Sequence, residues 1–249
     1  MTRKVHVLVV DDEPPFRKVV QTALAARGFS VDEAGSAELA LEMLAHRSFQ
    51  LVLLDINMAG MGGLEACRRI RSLIPQVAIV MVTVRDSEHD MVRALEGGAD
   101  DYITKPLRFG ELIARLRAVV RRTAAHEGAP TVIHAGNLEI DFDRRLLRRA
   151  GEVVHLTPTE FDLLSVLMKN QGMPLTHTKL LRAIWGAEYG DEVEYLRAYV
   201  KMLRKKIEDD PAQPKYILTE PWVGYRFQNP SEHDPYSPHA NGEGLPQES

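Results

Sequence analysis

Five short apolar runs punctuate the first 122 residues, Val5 to Val10, Val31 to Ala34, Leu51 to Leu54, Ala78 to Thr83 and Tyr102 to Thr104, and helix-length amphipathic segments separate them. Continuous Val, Ile and Leu suits strands buried on both faces, the condition of a parallel sheet. Strand and helix alternating in this way predict five βα units: a doubly wound, five-stranded parallel α/β sheet of the flavodoxin-like kind. The last helix spans about Phe109 to Arg122, with Leu112, Ile113, Leu116, Val119 and Val120 on one stripe. A sheet of this kind collects its polar chemistry at the carboxyl ends of its strands. Asp11-Asp12, Asp55 and Lys105-Pro106 each close or follow one of the runs, so three carboxylates and one ammonium are expected at one edge.

Three ionised carboxylates within a few ångströms of one another need a counter-charge, and a hard divalent cation supplies it. Magnesium takes oxygen ligands, keeps several waters and is held by one or two carboxylates together with a phosphate. Lys105 adds a point charge beside it. Together these groups suit stabilisation of charge on a phosphoryl group in transfer. Taken singly, each Asp reads equally well as a loop former or helix cap, Thr83 as a solvated β-branched residue and Tyr102 as a half-buried sheet aromatic. The combination carries the argument.

A second pattern follows a linker at 123–131, where Ala, Gly and Pro break the periodicity. Val132 to Asp141 and Leu146 to His155 read as strands with turns. Thr157-Pro158-Thr159-Glu160 reads as a helix start, with Thr157 as cap, Pro158 in the first turn and Glu160 three residues on. Further helices are expected at about Thr178 to Trp185 and Val193 to Glu208, then two strands, Tyr216 to Thr219 and Gly224 to Phe227. Helices followed by a terminal hairpin predict a winged helix-turn-helix domain over 132–228. Residues 229–249, rich in Pro, Ser, Asn, Gly and Glu, read as a disordered tail.

On the segment Val193 to Glu208, Leu196, Val200, Leu203 and Ile207 fall on one face, while Arg197, Lys201, Arg204 and Lys205 share another, within a sector of about 100°. Arg197 to Lys206 holds five basic residues and no acidic one. A solvated helix face is the plainer explanation; a stripe that meets phosphates and base edges in a major groove is the sharper one. Total charge does not decide between them. Residues 1–122 carry 17 Lys and Arg against 16 Asp and Glu, and residues 123–249 carry 14 against 19, so neither half is basic. DNA binding must rest on the local stripe. No apolar stretch reaches the roughly 20 residues of a membrane span, and the single cysteine, Cys67, forms no internal disulfide, which fits a reducing cytoplasm.

The motifs Val-Val-Asp11-Asp12-Glu13, Leu-Leu-Asp55-Ile-Asn57-Met, Val-Thr83-Val, Gly-Ala-Asp100-Asp101-Tyr102 and Lys105-Pro106 resemble, in order and spacing, the receiver domain of bacterial two-component response regulators. That resemblance implies Asp55 as phosphoacceptor and, with Asp12 as a direct ligand, Asp11 acting mainly through water and the Asn57 carbonyl, as part of the Mg2+ set. Lys105 would hold phosphoryl oxygens and Thr83 and Tyr102 would form the switch, with a cis Lys105-Pro106 peptide. Residues 156–164, 180–186, 203–207 and 224–227 are similar to the winged-helix domain of the OmpR/PhoB family, which extends the resemblance over Lys4 to Phe227. It implies double-stranded DNA as a partner, contacted by Arg197, Tyr199, Lys201, Arg204, Lys205 and Arg226, with Trp222 on the wing, where Pro221-Trp222 stands in place of a common Arg-Gly. It also implies a sensor histidine kinase, RNA polymerase, and a homodimer formed on phosphorylation through Glu96, Asp100, Asp101, Glu111, Leu112, Ile113, Arg115 and Arg117. Within the family, residues 195–199, 208–217 and Thr219-Glu220 resemble the potassium-transport regulators of the Kdp system.

Regulation of transcription is therefore the expected function, with no catalytic activity beyond Mg2+-dependent phosphorylation and dephosphorylation of the chain itself. Two alternatives stay open: a phosphate sink or docking module without a DNA target, and a pseudo-receiver that works without phosphorylation. A metabolic enzyme on the same sheet is disfavoured, because no Gly-rich phosphate loop follows the first strand.

Overall fold

The computed structural model describes residues 4–84, 88–123, 132–187, 189–190 and 192–231. The expected linker beyond Thr123 and the expected tail beyond Ser231 lie outside the described residues.

The first half builds five strands, β1 His6–Val10, β2 Ser30–Ala34, β3 Leu51–Asp55, β4 Ala78–Thr83 and β5 Asp101–Thr104. They pair in the order β2-β1-β3-β4-β5, all parallel. Helices α1 Pro14–Ala25, α2 Ala37–His46, α3 Gly63–Leu73, α4 Glu88–Glu96 and α5 Phe109–Thr123 connect or follow them. Alternate residues of each strand serve different cores. Val7, Val9, Leu51, Leu53, Val80 and Val82 pack with Val20, Leu24, Leu112 and Leu116 of α1 and α5. Leu8, Val10, Val52, Leu54, Ile79 and Met81 pack with Ala40, Leu44, Cys67 and Ile70 of α2 and α3. Burial on both faces is why these strands contain so little polar sequence.

The second half opens with a four-stranded antiparallel meander, β6 Val132–Ala135, β7 Leu138–Asp141, β8 Leu146–Arg149 and β9 Glu152–Val154. Three helices follow, α6 Pro158–Lys169, α7 His177–Trp185 and α8 Val193–Ile207. A three-stranded sheet completes the domain, with β10 Leu175–Thr176 beside β12 Gly224–Phe227, which pairs with β11 Ile217–Glu220. The α6 start is the predicted capping box: the Thr157 hydroxyl accepts from the Glu160 N–H, and the Glu160 carboxylate accepts from the Thr157 N–H. Strand β10 escaped the sequence reading because two residues display no period; its pairing of Leu175 with Tyr225 supplies what the pattern lacks.

The two domains are packed together. Helix α8 lies on α4, and α6 and α7 lie on α5. Buried side chains form one continuous apolar cluster from Leu8 and Ile79, through Ala99 and Tyr102, to Trp185, Tyr199 and Phe227.

Candidate functional site: an acidic strand edge beneath a covered receiver face

Asp11 follows β1 and Asp55 ends β3, which brings both to the same edge, nearly buried at 1% and 4% exposure. Lys105, just past β5, sets its Nζ 2.8 Å from Asp11 Oδ2 and 3.0 Å from Asp55 Oδ1, and 4.0 Å above the Phe16 ring. Asp55 Oδ2 accepts from the Asn57 N–H at 2.8 Å, and Asp11 Oδ1 from the Glu13 N–H at 2.8 Å. Burial holds the Asp55 carboxyl above its ordinary range, against the opposing pull of Lys105. Burial also disfavours charge on Lys105, but its hydrogen bonds to Asp11 and Asp55 outweigh that and hold the ammonium above its usual value. The Lys105-Pro106 peptide is cis.

Gly63 begins α3 directly behind Asp55. A Cβ there would lie 1.9 Å from the Asp55 carbonyl oxygen, so only glycine permits this approach. Thr83, fully buried at the end of β4, has its hydroxyl 3.3 Å from Asn57 Nδ2. Tyr102, one strand across, is 8% exposed within the core.

Asp12 stands apart from the other two acids. It is exposed, and its Oδ2 accepts from the Ala59 N–H at 3.1 Å. Among the described residues no group of three or more His, Cys, Asp and Glu side chains is arranged to hold a metal. The donor chemistry nevertheless suits magnesium: Asp11 and Asp55 offer hard oxygens side by side, and an octahedral ion that keeps its waters needs only one or two carboxylates. Lys105 supplies the positive charge between them in this structure.

Helix α8 buries Leu196, Val200, Leu203 and Ile207, as its period requires. Its basic stripe is engaged within the chain. Lys201 and Lys205 reach Glu96 of α4 at 3.5 and 4.0 Å. Arg204 donates to the Ile217 carbonyl at 2.6 Å and to the Thr219 hydroxyl at 2.9 Å, and Arg197 pairs with Glu194. Two expected DNA contacts are placed elsewhere. Tyr199 is fully buried and donates to the Ala99 carbonyl at 2.7 Å. Arg226 is 4% exposed: β12 is buried along its whole length, Tyr225 and Phe227 enter the apolar core, and Arg226 between them is fixed to Glu220 and Gln228 at 2.5 and 2.6 Å. Trp222, at the tip of the β11–β12 hairpin with φ of 64°, is fully exposed.

The surface expected to dimerise is covered or inward. Leu112 and Ile113 belong to the first domain's own core, since their stripe on α5 faces the sheet. Asp101 is 1% exposed and accepts from Tyr189 Oη at 2.8 Å and from Tyr195 Oη at 2.6 Å, both in the effector domain, with Arg115 at 3.4 Å. Asp100 accepts from Arg71 at 2.6 Å and from the Thr159 N–H at 3.1 Å. Glu96, one of the expected dimer residues, meets the lysines of α8 within the chain; Arg117 is exposed and Glu111 holds Arg115 at 2.7 Å. Burial and the neighbouring Asp101 push the Tyr195 hydroxyl well above its normal range, so it remains a donor. Sequence reasoning assigned Tyr189 and Thr159 no role. The signal for Tyr189 was the crowding of Trp185, Tyr189, Tyr195 and Tyr199 into one segment of a chain with only 2 Trp and 7 Tyr; Thr159 carried none.

Residues 7–117 match the response regulator receiver domain, and residues 151–227 match the C-terminal domain of transcriptional regulatory proteins. KdpE of Mycobacterium tuberculosis is 41% identical over 223 residues, and KdpE of Escherichia coli 39% over 222, each match covering 89% of this chain and 98% of the relative. The chain is a transcriptional response regulator. RegX3 of Mycolicibacterium smegmatis is 40% identical over 225 residues, 89% of this chain and 98% of that protein, so identity alone does not separate the two kinds of relative. Among solved structures, a point mutant of RitR superposes on 90% of the response regulator and 99% of its own chain at a TM-score of 0.73 with 27% identity. Among the described residues, no helix of the response regulator is long and apolar enough to cross a membrane.

Proposed function

We propose that this response regulator is a phosphorylation-gated transcription factor of the cytoplasm and that its unphosphorylated form is held closed. Asp55 accepts the phosphoryl group from a kinase phosphohistidine, and Asp11, Asp12, Asp55 and the Asn57 carbonyl would hold Mg2+. When bound, Mg2+ neutralises charge on the phosphoryl oxygens. Lys105 then has two tasks. It balances two buried carboxylates in the resting state, and it is near enough to Asp55 to follow the new phosphoryl oxygens. Thr83 closes on the phosphoryl group and Tyr102 repacks behind it, next to Asp101.

The observation that carries the reading is Asp101 itself. It adjoins the switch tyrosine and accepts hydrogen bonds from two effector-domain tyrosines, so a shift of β5 acts on the domain contact directly. Release exposes the α4–β5–α5 face to a second copy and the α8 stripe to DNA, and pairing two copies raises affinity for tandem half-sites through effective concentration. Helix α8 reads the major groove with Lys201, Arg204 and Arg197, with Lys205 beside them. RNA polymerase is the downstream partner, and potassium-transport genes are the targets that the Kdp resemblance favours.

Genomic-fragment selection with beryllofluoride-loaded protein, in which the fluoride stands in for the phosphoryl group on Asp55, is compared with Asp55→Ala. Enrichment confined to the loaded sample is expected, with fragments upstream of potassium-transport genes among the leaders. Equal enrichment by Asp55→Ala would remove phosphorylation from the account, and no enrichment by either would favour a docking or phosphate-sink receiver.

A further inference from the structure

Between the two domains lies a cavity of about 610 Å³ that neither the phosphorylation site nor DNA reading explains. Its receiver wall presents Arg68 of α3 with Arg93 and Glu96 of α4; its effector wall presents Glu160, Lys205 and Lys206. The volume lies within the usual range for small-molecule sites, about 300 to 1,000 Å³. Positive charge is in surplus there. Lys206 is committed to Glu160 at 2.5 Å, whereas Lys205 only approaches Glu96, which Lys201 also shares. Arg68 stands 3.7 Å from a Glu65 that Arg69 already holds at 2.9 Å. The exposed Arg93 guanidinium has no carboxylate partner among the described residues. A fifth cation, Arg71, is tied up in the structure: it donates to the Pro75, Val77 and Gly98 carbonyls as well as Asp100.

We propose that this cavity binds a compact polyanion, a small molecule carrying two or more phosphate groups, which bridges Arg68 and Arg93 of the receiver to Lys205 of the effector domain and holds the response regulator closed. Guanidinium groups match phosphate oxygens in paired, charge-assisted hydrogen bonds, and the two walls partly exclude the water that weakens such pairs on an open surface. The site exists only while the domains are packed, so the inference rests on the closed form described above. A ligand that binds only one of two states stabilises that state by RT ln(1 + [L]/Kd). Because Lys205 also lies on the DNA-reading stripe, ligand and DNA oppose each other, and the opposition is reciprocal. This site is not simply the phosphate-reading stripe under another name, because Arg68 and Arg93 lie on the receiver, away from the recognition helix.

The test titrates the unphosphorylated full chain, without magnesium, by calorimetry with pyrophosphate and with ATP, using orthophosphate as a control of lower charge. One site per chain is expected for pyrophosphate or ATP, weakened at least ten-fold by Arg93→Gln and by Arg68→Gln. Saturating probe should also lower affinity for a DNA fragment in the wild type and have no such effect in Arg93→Gln. Binding unchanged in both variants would place the anion on α8 alone and overturn the site. Small-angle scattering on the same samples separates the remaining outcomes. A compact chain that binds neither probe overturns this site alone, and an extended chain overturns the closed form and the site with it.

Discussion

Trp222 is fully exposed, holds a φ of 64° and stands at the tip of the β11–β12 hairpin, while the wing's Arg226 is locked to Glu220 inside the domain. An aromatic kept in a left-handed conformation and withheld from every core is a costly arrangement for a residue without an external partner. The arrangement is what a sugar contact between the wing and DNA would require, and that contact is open to test. Trp222→Ala is expected to leave thermal stability unchanged and to weaken binding of the beryllofluoride-loaded protein to its operator by about ten-fold, roughly 1.4 kcal/mol, the scale of a truncated interface aromatic. Fluorescence anisotropy on a labelled fragment measures this, and an unchanged affinity would count against it. The same residues mark where the sequence was and was not legible. Asp55 and Lys105 were readable because parallel strand ends must converge. Arg226 was not, because β12 is covered on both faces and the Glu220 and Gln228 side chains that hold the guanidinium are set by the fold, not by the strand's own pattern.

At the scale of the element, local chemistry was legible wherever it was self-contained. The Thr157–Glu160 box announces the start of α6 four residues at a time, and both of its hydrogen bonds form. Thr157→Ala is expected to cost about 1 kcal/mol in urea unfolding. A loss indistinguishable from zero would mean that the packing of α6 against α5 fixes the helix without its cap. Glycine at 224 answers a different demand. A Cβ there would fall 2.1 Å from the Leu175 carbonyl oxygen, so β10 and the wing approach each other only across a bare backbone. Gly224→Ala should consequently exceed the cap variant in cost and should weaken DNA binding as well, because it displaces the hairpin that carries Trp222. The short β10 was invisible for the complementary reason: its identity as a strand comes from Tyr225 and Gly224 opposite, not from its own two residues.

At the scale of the whole molecule, the domain contact uses residues whose separate patterns point to other tasks. Asp101 and Glu96 read as dimer residues, Tyr199 and Lys201 as DNA residues, and in this structure each is engaged across one intramolecular boundary. Nothing local distinguishes a basic stripe facing DNA from one facing an acidic helix, which is why the boundary was not legible. Its strength is open to calculation. The exposed lysine pairs to Glu96 are worth about 0 to 1 kcal/mol each. The two tyrosine hydroxyls on buried Asp101 weigh more, since hydrogen bonds to charged groups contribute about 1.5 to 3 kcal/mol. Apparent DNA affinity is the intrinsic affinity scaled by the open fraction, so weakening the latch acts only while the chain is mostly closed. Tyr189→Phe with Tyr195→Phe removes both donors and keeps both rings against Trp185. The unphosphorylated double variant is expected to bind operator DNA at least ten-fold more tightly than unphosphorylated wild type. Beryllofluoride-loaded wild type and variant should bind alike, because the latch is already open in both. A double variant that gains nothing when unphosphorylated would show that the tyrosine latch is not what keeps α8 from DNA. A variant that gains equally in both states would show instead that the substitutions act on DNA recognition itself.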